Sequence, residues 1–187
     1  NYERFVRFLE VMSTANGQEL NYANLSSDSG VPARTIESHI EVLKDTLMAY
    51  ELLPFSKTVK RKATTKAKFY FFDIGVANYL SEKLPLAEGS SDIGIPFEQF
   101  VINEVRAYLS YNRVDKKLTY WRSGKFEVDL VIGKEVAIEV KFSKQMKSEF
   151  YTSLEALKEE GILKKYFVVG RFTSVGEKDG MVYMPYE

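Results

Sequence analysis

Two segments of this chain place acidic and basic side chains at a spacing that could do chemistry. Phe126-Glu127-Val128-Asp129-Leu130-Val131-Ile132 and Val136-Ala137-Ile138-Glu139-Val140-Lys141 alternate apolar and polar residues, the period of two that marks a β-strand. If Gly133-Lys134-Glu135 forms a three-residue turn, residue 132 opposes 136. Asp129 then opposes Glu139, and Glu127 opposes Lys141, on the face away from Val128, Leu130 and Ile138. A two-residue turn would shift the register by one and part the two carboxylates. Opposed carboxylates repel unless a cation lies between them. A divalent ion held by Asp129 and Glu139 would polarise a phosphate oxygen, while Lys141 stabilises charge building on the transition state. The same alternation also suits the wet face of an ordinary hairpin, so a metal site and a solvated face are both open.

Composition narrows the chemistry. The 187 residues include no cysteine and one histidine, His39, which excludes disulfides, thiolate metal sites and any site needing two imidazoles. Oxygen donors remain, and they suit Mg²⁺ or Mn²⁺. With 26 basic and 26 acidic residues there is no global attraction to nucleic acid, so local charge must supply it. Lys57, Lys60, Arg61, Lys62, Lys66 and Lys68 form one such run, with no acid among them. No apolar stretch approaches the roughly 20 residues of a membrane span, and the start is charged rather than signal-like, so a cytoplasmic setting is expected.

The elements that must position these residues follow from periodicity. In the second half the order is helix (96 to 110), strands (118 to 122, 126 to 132, 136 to 142), helix (148 to 159), strand (165 to 169) and a last strand at 181 to 183. This α-β-β-β-α-β order predicts an α/β or α+β sandwich with a mixed sheet. In the first half, apolar residues at helical spacing predict a helix over 2–14 and a short one over 21–27. A longer helix opened by Pro32 carries the stripe Ile36, Ile40, Leu43, Leu47. Short helix, Gly30 turn and long helix resemble a helix-turn-helix, with Arg34 and its neighbours presented outward and His39 as a solvated helix residue. Strands over 50–55 and 68–72 flank the basic run, where a winged helix has its wing. A further short helix fits 73–80, Glu155 to Glu160 read as an exposed helix face, and the Gly-, Ser- and Pro-rich stretch from Glu82 to Ile95 marks a boundary, giving domains 1–82 and 83–187.

Asp129, nine intervening residues and Glu139-Val140-Lys141 resemble the Asp…Glu-x-Lys signature of the PD-(D/E)xK nuclease superfamily, although Val128 stands where the superfamily's name has proline. Together with Phe97-Glu98, Tyr120-Trp121-Arg122 and Glu127-Val128-Asp129-Leu130, the whole chain resembles the C-terminal region of a prokaryotic family of AAA+-type ATPases, in which a winged helix is followed by a nuclease-like domain of unknown function. The resemblance implies a restriction-endonuclease-like second domain in which Asp129 and Glu139 ligate metal, Lys141 acts on water or the transition state, and Glu98 completes the site from its helix. Glu104 is the alternative, since the two differ by about 240° around a helix and only one can face the site. The resemblance further implies that these residues form the C-terminal part of a longer protein. No Gly-x-x-x-x-Gly-Lys-[Ser/Thr] loop occurs among the 187 residues, so ATP would bind only an upstream domain.

Two functions from different classes follow. One is a Mg²⁺- or Mn²⁺-dependent nuclease acting on nucleic acid, expected to be double-stranded DNA. The other is a non-catalytic nucleic-acid-binding or protein-interaction module on a nuclease scaffold.

Overall fold

A computed structural model describes residues 2–82 and 93–186. The chain divides into two units, Asn1–Leu52 with Lys66–Ser90, and Leu53–Thr65 with Ser91–Glu187. The boundary expected after residue 82 abuts residues 83–92, which lie outside the described residues. The segment between the two strands of the first half, 53–65, belongs to the second unit.

In the first unit, α1 (Tyr2–Thr14) ends where Gly17 takes a left-handed φ of 75°, and leads into the short β1 (Gln18–Glu19). Asn21 caps α2 (Tyr22–Ser29) by accepting the Asn24 N–H, and Gly30 closes it at φ 65°. Pro32 then opens α3 (Ala33–Asp45). β2 (Ala49–Pro54) and β3 (Lys68–Phe71) pair antiparallel through Ala49 to Leu52, and β1 adds to the other side of β3. α4 (Ile74–Leu80) is capped by the Asp73 carboxylate. Phe8, Met12, Ile36, Ile40, Phe69 and Phe71 form the core of this unit. Leu47, expected to end the α3 stripe, instead lies beyond the helix at φ 60° and is 81 % exposed. His39 is likewise not a solvated helix residue. Its ring meets Phe5 and Phe8 edge-on at 5.2 and 4.9 Å, and its buried Nδ1 has no hydrogen-bond partner among the described residues.

The second unit is a mixed sheet with helices packed on it. Its elements are α5 (Gly94–Tyr111), β4 (Leu118–Ser123), β5 (Phe126–Ile132), β6 (Val136–Lys141), a 3-10 turn (Ser148–Tyr151) running into α6 (Thr152–Lys158), β7 (Lys165–Gly170), β8 (Gly176–Lys178) and β9 (Met181–Pro185). Leu53 and Pro54 run parallel to β4, and the order continues β4-β5-β6-β7-β9-β8. β5 is antiparallel to β4 and β6, whereas β7 is parallel to β6 and β9. α5 packs on β6 and α6 on β5 and β6, so the central strands are buried on both faces. Phe55, Trp121, Val131, Leu154, Leu157 and Val168 share one core. The whole is an α+β chain, and no described helix is long and apolar enough to cross a membrane.

Candidate metal centre

Turn length decides whether the carboxylates meet. Ile132 pairs with Val136 across the three residues 133–135, and Gly133 adopts the left-handed φ of 57° that such a tight connection needs. Leu130 accordingly pairs with Ile138, and one step further Asp129 lies across from Glu139 on the face that carries Val131 and Ala137. Backbone pairing stops at that step. The Val140 N–H donates instead to Asp129 Oδ2 at 2.7 Å, so the aspartate side chain takes over a place in the ladder and is fixed by it.

Both acids are enclosed: Asp129 is 6 % and Glu139 5 % exposed. Lys141 Nζ donates to Glu139 Oε1 at 2.6 Å, and Glu139 Oε2 is buried without a hydrogen-bond partner among the described residues. Burial, then the Asp129 charge, push the Glu139 carboxyl well above the usual carboxylate range. Lys141 opposes this and Glu98 adds to it. For Lys141 burial pulls downward, yet the charges of Asp129, Glu139 and Glu98 prevail and hold the ammonium above its ordinary value.

Glu98, on α5, is half-buried and acts electrostatically on both Glu139 and Lys141, whereas Glu104 is exposed. Glu127, expected opposite Lys141, pairs with Arg122 on β4 at 3.2 Å, and the charges that raise the Lys141 pKa are those of Asp129, Glu139 and Glu98. Among the described residues, no group of three or more histidine, cysteine or carboxylate side chains is gathered so as to hold a metal ion. The donor set still fits a hard cation in kind. Mg²⁺ is often held by one or two carboxylates together with water and phosphate, and the unpartnered Glu139 oxygen is a buried acceptor awaiting a positive partner.

The basic residues divide differently. Arg34, Lys57, Lys60, Lys62 and Lys66 are exposed, while Lys68 is 2 % exposed and does not offer its ammonium to a phosphate. Arg61 is engaged within the second unit by Glu159 at 2.6 Å, by the Ala156 carbonyl at 3.0 Å and by Glu160 at 3.7 Å.

Glu160 is a structural anchor that periodicity missed. Its carboxylate accepts the backbone N–H groups of Val59 and Lys60 at 2.7 and 2.8 Å, and its side chain is wholly enclosed rather than part of an exposed helix face. Burial alone would raise its pKa, but the N–H groups of Lys60, Val59 and Arg61, with the Arg61 charge, hold it below the usual range. The available signal was Gly161, left-handed at φ 69°, which ends the helix and removes Glu160 from its surface.

These features define an α+β chain whose second unit holds a buried carboxylate pair beside a lysine, and the chain belongs to the family described as a domain of unknown function, DUF4143, matched over residues 93–187. Residues 1–87 match a second domain of unknown function, DUF8612. Two uncharacterized proteins, Mb2031c of Mycobacterium bovis and Rv2008c of Mycobacterium tuberculosis, are each 27 % identical to it over 133 residues. That stretch is 67 % of this chain and 29 % of theirs, so the chain spans under a third of the length of these relatives. No solved structure matches it.

Proposed function

We propose that this chain is a metal-dependent phosphodiesterase module acting on nucleic acid, most directly double-stranded DNA. In this reading the first unit is a winged-helix-like helix-turn-helix, most of whose expected wing, residues 53–65, belongs to the second unit, and the second is a PD-(D/E)xK nuclease-like domain. The observation that carries the proposal is the buried meeting of Asp129 and Glu139, with Lys141 2.6 Å from one Glu139 oxygen and the other oxygen unpartnered. Two carboxylates enclosed together with one ammonium make a poor structural element and a good cation cradle.

Asp129 and Glu139 would hold Mg²⁺ or Mn²⁺, with Glu98 contributing charge from α5. When bound, the ion supplies Lewis-acid polarisation of a phosphate oxygen. Asp129 is held in place by the Val140 N–H, so its orientation costs nothing at the moment of reaction. Lys141, with its raised pKa, is charged at neutral pH and stabilises negative charge developing on phosphate. β5, β6 and their covering helices enclose the two carboxylates and strengthen the interactions made there, while Lys141 stays partly exposed at the end of β6.

In the first unit, the order helix, strand, helix, helix, strand, strand supports the winged-helix reading, with exposed Arg34 and Ser38 on α3 available to DNA. The matched stretch, 29 % of the relatives' length, supports a place within a longer polypeptide. By the resemblance to AAA+-type ATPases, the ATP-binding domain of that polypeptide would be the covalent partner, in a cytoplasmic setting.

Incubation of purified protein with duplex DNA and Mg²⁺ or Mn²⁺ tests the activity. Cleavage by the wild type and a drop of roughly a hundredfold or more in Asp129→Ala are expected. Equal cleavage by the variant would exclude this site.

A second reading, a non-catalytic scaffold, is favoured by the absence of a three-ligand group among the described residues. Titration calorimetry with Mn²⁺ on the DNA-bound wild type against the DNA-bound Asp129→Ala variant separates the two, since a scaffold takes up no more ion than the variant.

A further inference from the structure

The end of the second unit's sheet away from Lys141 is made of turns. Leu118 pairs with Ile132, Ile132 with Val136, and Val136 with Lys165, so the approach to β4, the β5–β6 turn and the start of β7 lie side by side. Those turns carry Lys116, Lys117, Lys134, Lys164 and Lys165. Backbone bonds tie them to one another. The Gly133 N–H donates to the Lys117 carbonyl at 2.8 Å, and the N–H groups of Lys164 and Lys165 both donate to the Glu135 carbonyl at 2.9 Å.

Lys57, from the segment that Glu160 clamps, joins them. The positive charge of Lys134, then burial and the charge of Lys117, depress its pKa. Lys57, Lys117 and Lys134 are all exposed. The acids on the same turns are Asp115 and Glu135, and Glu135 is already engaged by Lys116 at 2.6 Å. Positive charge is therefore in excess along this edge.

We propose that this lysine rim is a phosphate-binding surface that grips the sugar-phosphate backbone of a nucleic acid, at the end of the sheet opposite Lys141. The proposal rests on the nucleic-acid reading given above. Ammonium groups held together against their own repulsion gain most from an anion that bridges them. Neighbouring strands lie about 4.8 Å apart, so the edge from β4 to β7 extends roughly 14 Å. One strand of a B-form duplex presents about four phosphates over that length of axis. A row of charges thus meets a row of charges, which a single phosphate ion would not exploit. Lysines act here as point charges with no base to read, so the grip is independent of sequence.

Fluorescence anisotropy with a short labelled duplex, in EDTA so that nothing is cut, tests the rim on the full chain. The charge-reversed variant Lys117→Glu/Lys134→Glu/Lys165→Glu should bind at least roughly tenfold more weakly, and the log–log salt slope should become shallower by about one for each lysine that no longer meets a phosphate. The milder Lys117→Gln/Lys134→Gln variant, whose exposed side chains carry no core packing, should show the same trend with an unchanged melting temperature. If the wild type binds DNA and both variants bind as tightly with the same slope, the rim is overturned while the nucleic-acid reading stands. No binding by the wild type overturns both. Displacement of the duplex by polyglutamate as effectively as by unlabelled duplex would overturn the rim in favour of an acidic protein partner.

Discussion

Glu139 sits where a carboxylate is least at ease, enclosed beside Asp129 and within the field of Glu98, with Lys141 alone in opposition. Its folded-state pKa is raised above the ordinary 4.5, so between that value and the raised one the folded protein binds more proton than the unfolded chain. Stability must therefore fall as pH rises through that window. Replacing Glu139 by Gln removes the titration. The variant should match the wild type near pH 4.5 and melt at a higher temperature near neutrality in metal-free buffer. Thermal melts across pH read this directly, and a wild-type melting temperature that climbs through the window would contradict the proposed repulsion. Added divalent ion should narrow the gap, because it relieves in the wild type what the substitution relieves in the variant.

Among the elements, the strands that carry the carboxylates were the most legible part of the chain. Alternation in β5 and β6 marks the two faces, while the register that brings both acids to one face depends on the length of the turn, which the pairing of Ile132 with Val136 sets at three residues. Less was legible where local pattern and tertiary context part. Leu47 continued the α3 period in sequence, but the helix had already ended at Asp45. His39 looked like a solvated helix residue until α1 brought Phe5 and Phe8 against it. β1 and β8 are two and three residues long, too short for any period to register. The hardest case was Glu160, whose partners come from the distant segment 53–65. Glu160→Ala removes the acceptor for two backbone N–H groups and should cost about 2 kcal/mol of stability, measured by urea unfolding. Because the folded pKa of Glu160 is depressed, its contribution is present above the unfolded value of 4.5 and disappears as pH falls through the folded one.

For the whole molecule, the two family matches and the two structural units cut the chain differently. The first match runs over residues 1–87, yet Leu53–Thr65 within it belongs to the second unit. A chain restricted to 93–187 would lose Phe55 from its core, the Leu53 and Pro54 pairing along β4, and the N–H donors that hold Glu160. Removal of one buried phenylalanine alone costs about 3 kcal/mol or more, so this shortened chain should melt well below the full one or fail to fold. A melting temperature equal to that of the full chain would show that 53–65 adds nothing to the second unit.

The clamp on Val59 also fixes an order of events during synthesis. Its acceptor lies 101 residues further along the chain, so the basic segment leaves the ribosome long before Glu160 exists to receive it. Until that glutamate emerges, those lysines are tethered but undocked, and seating them requires the slow closure of a long loop.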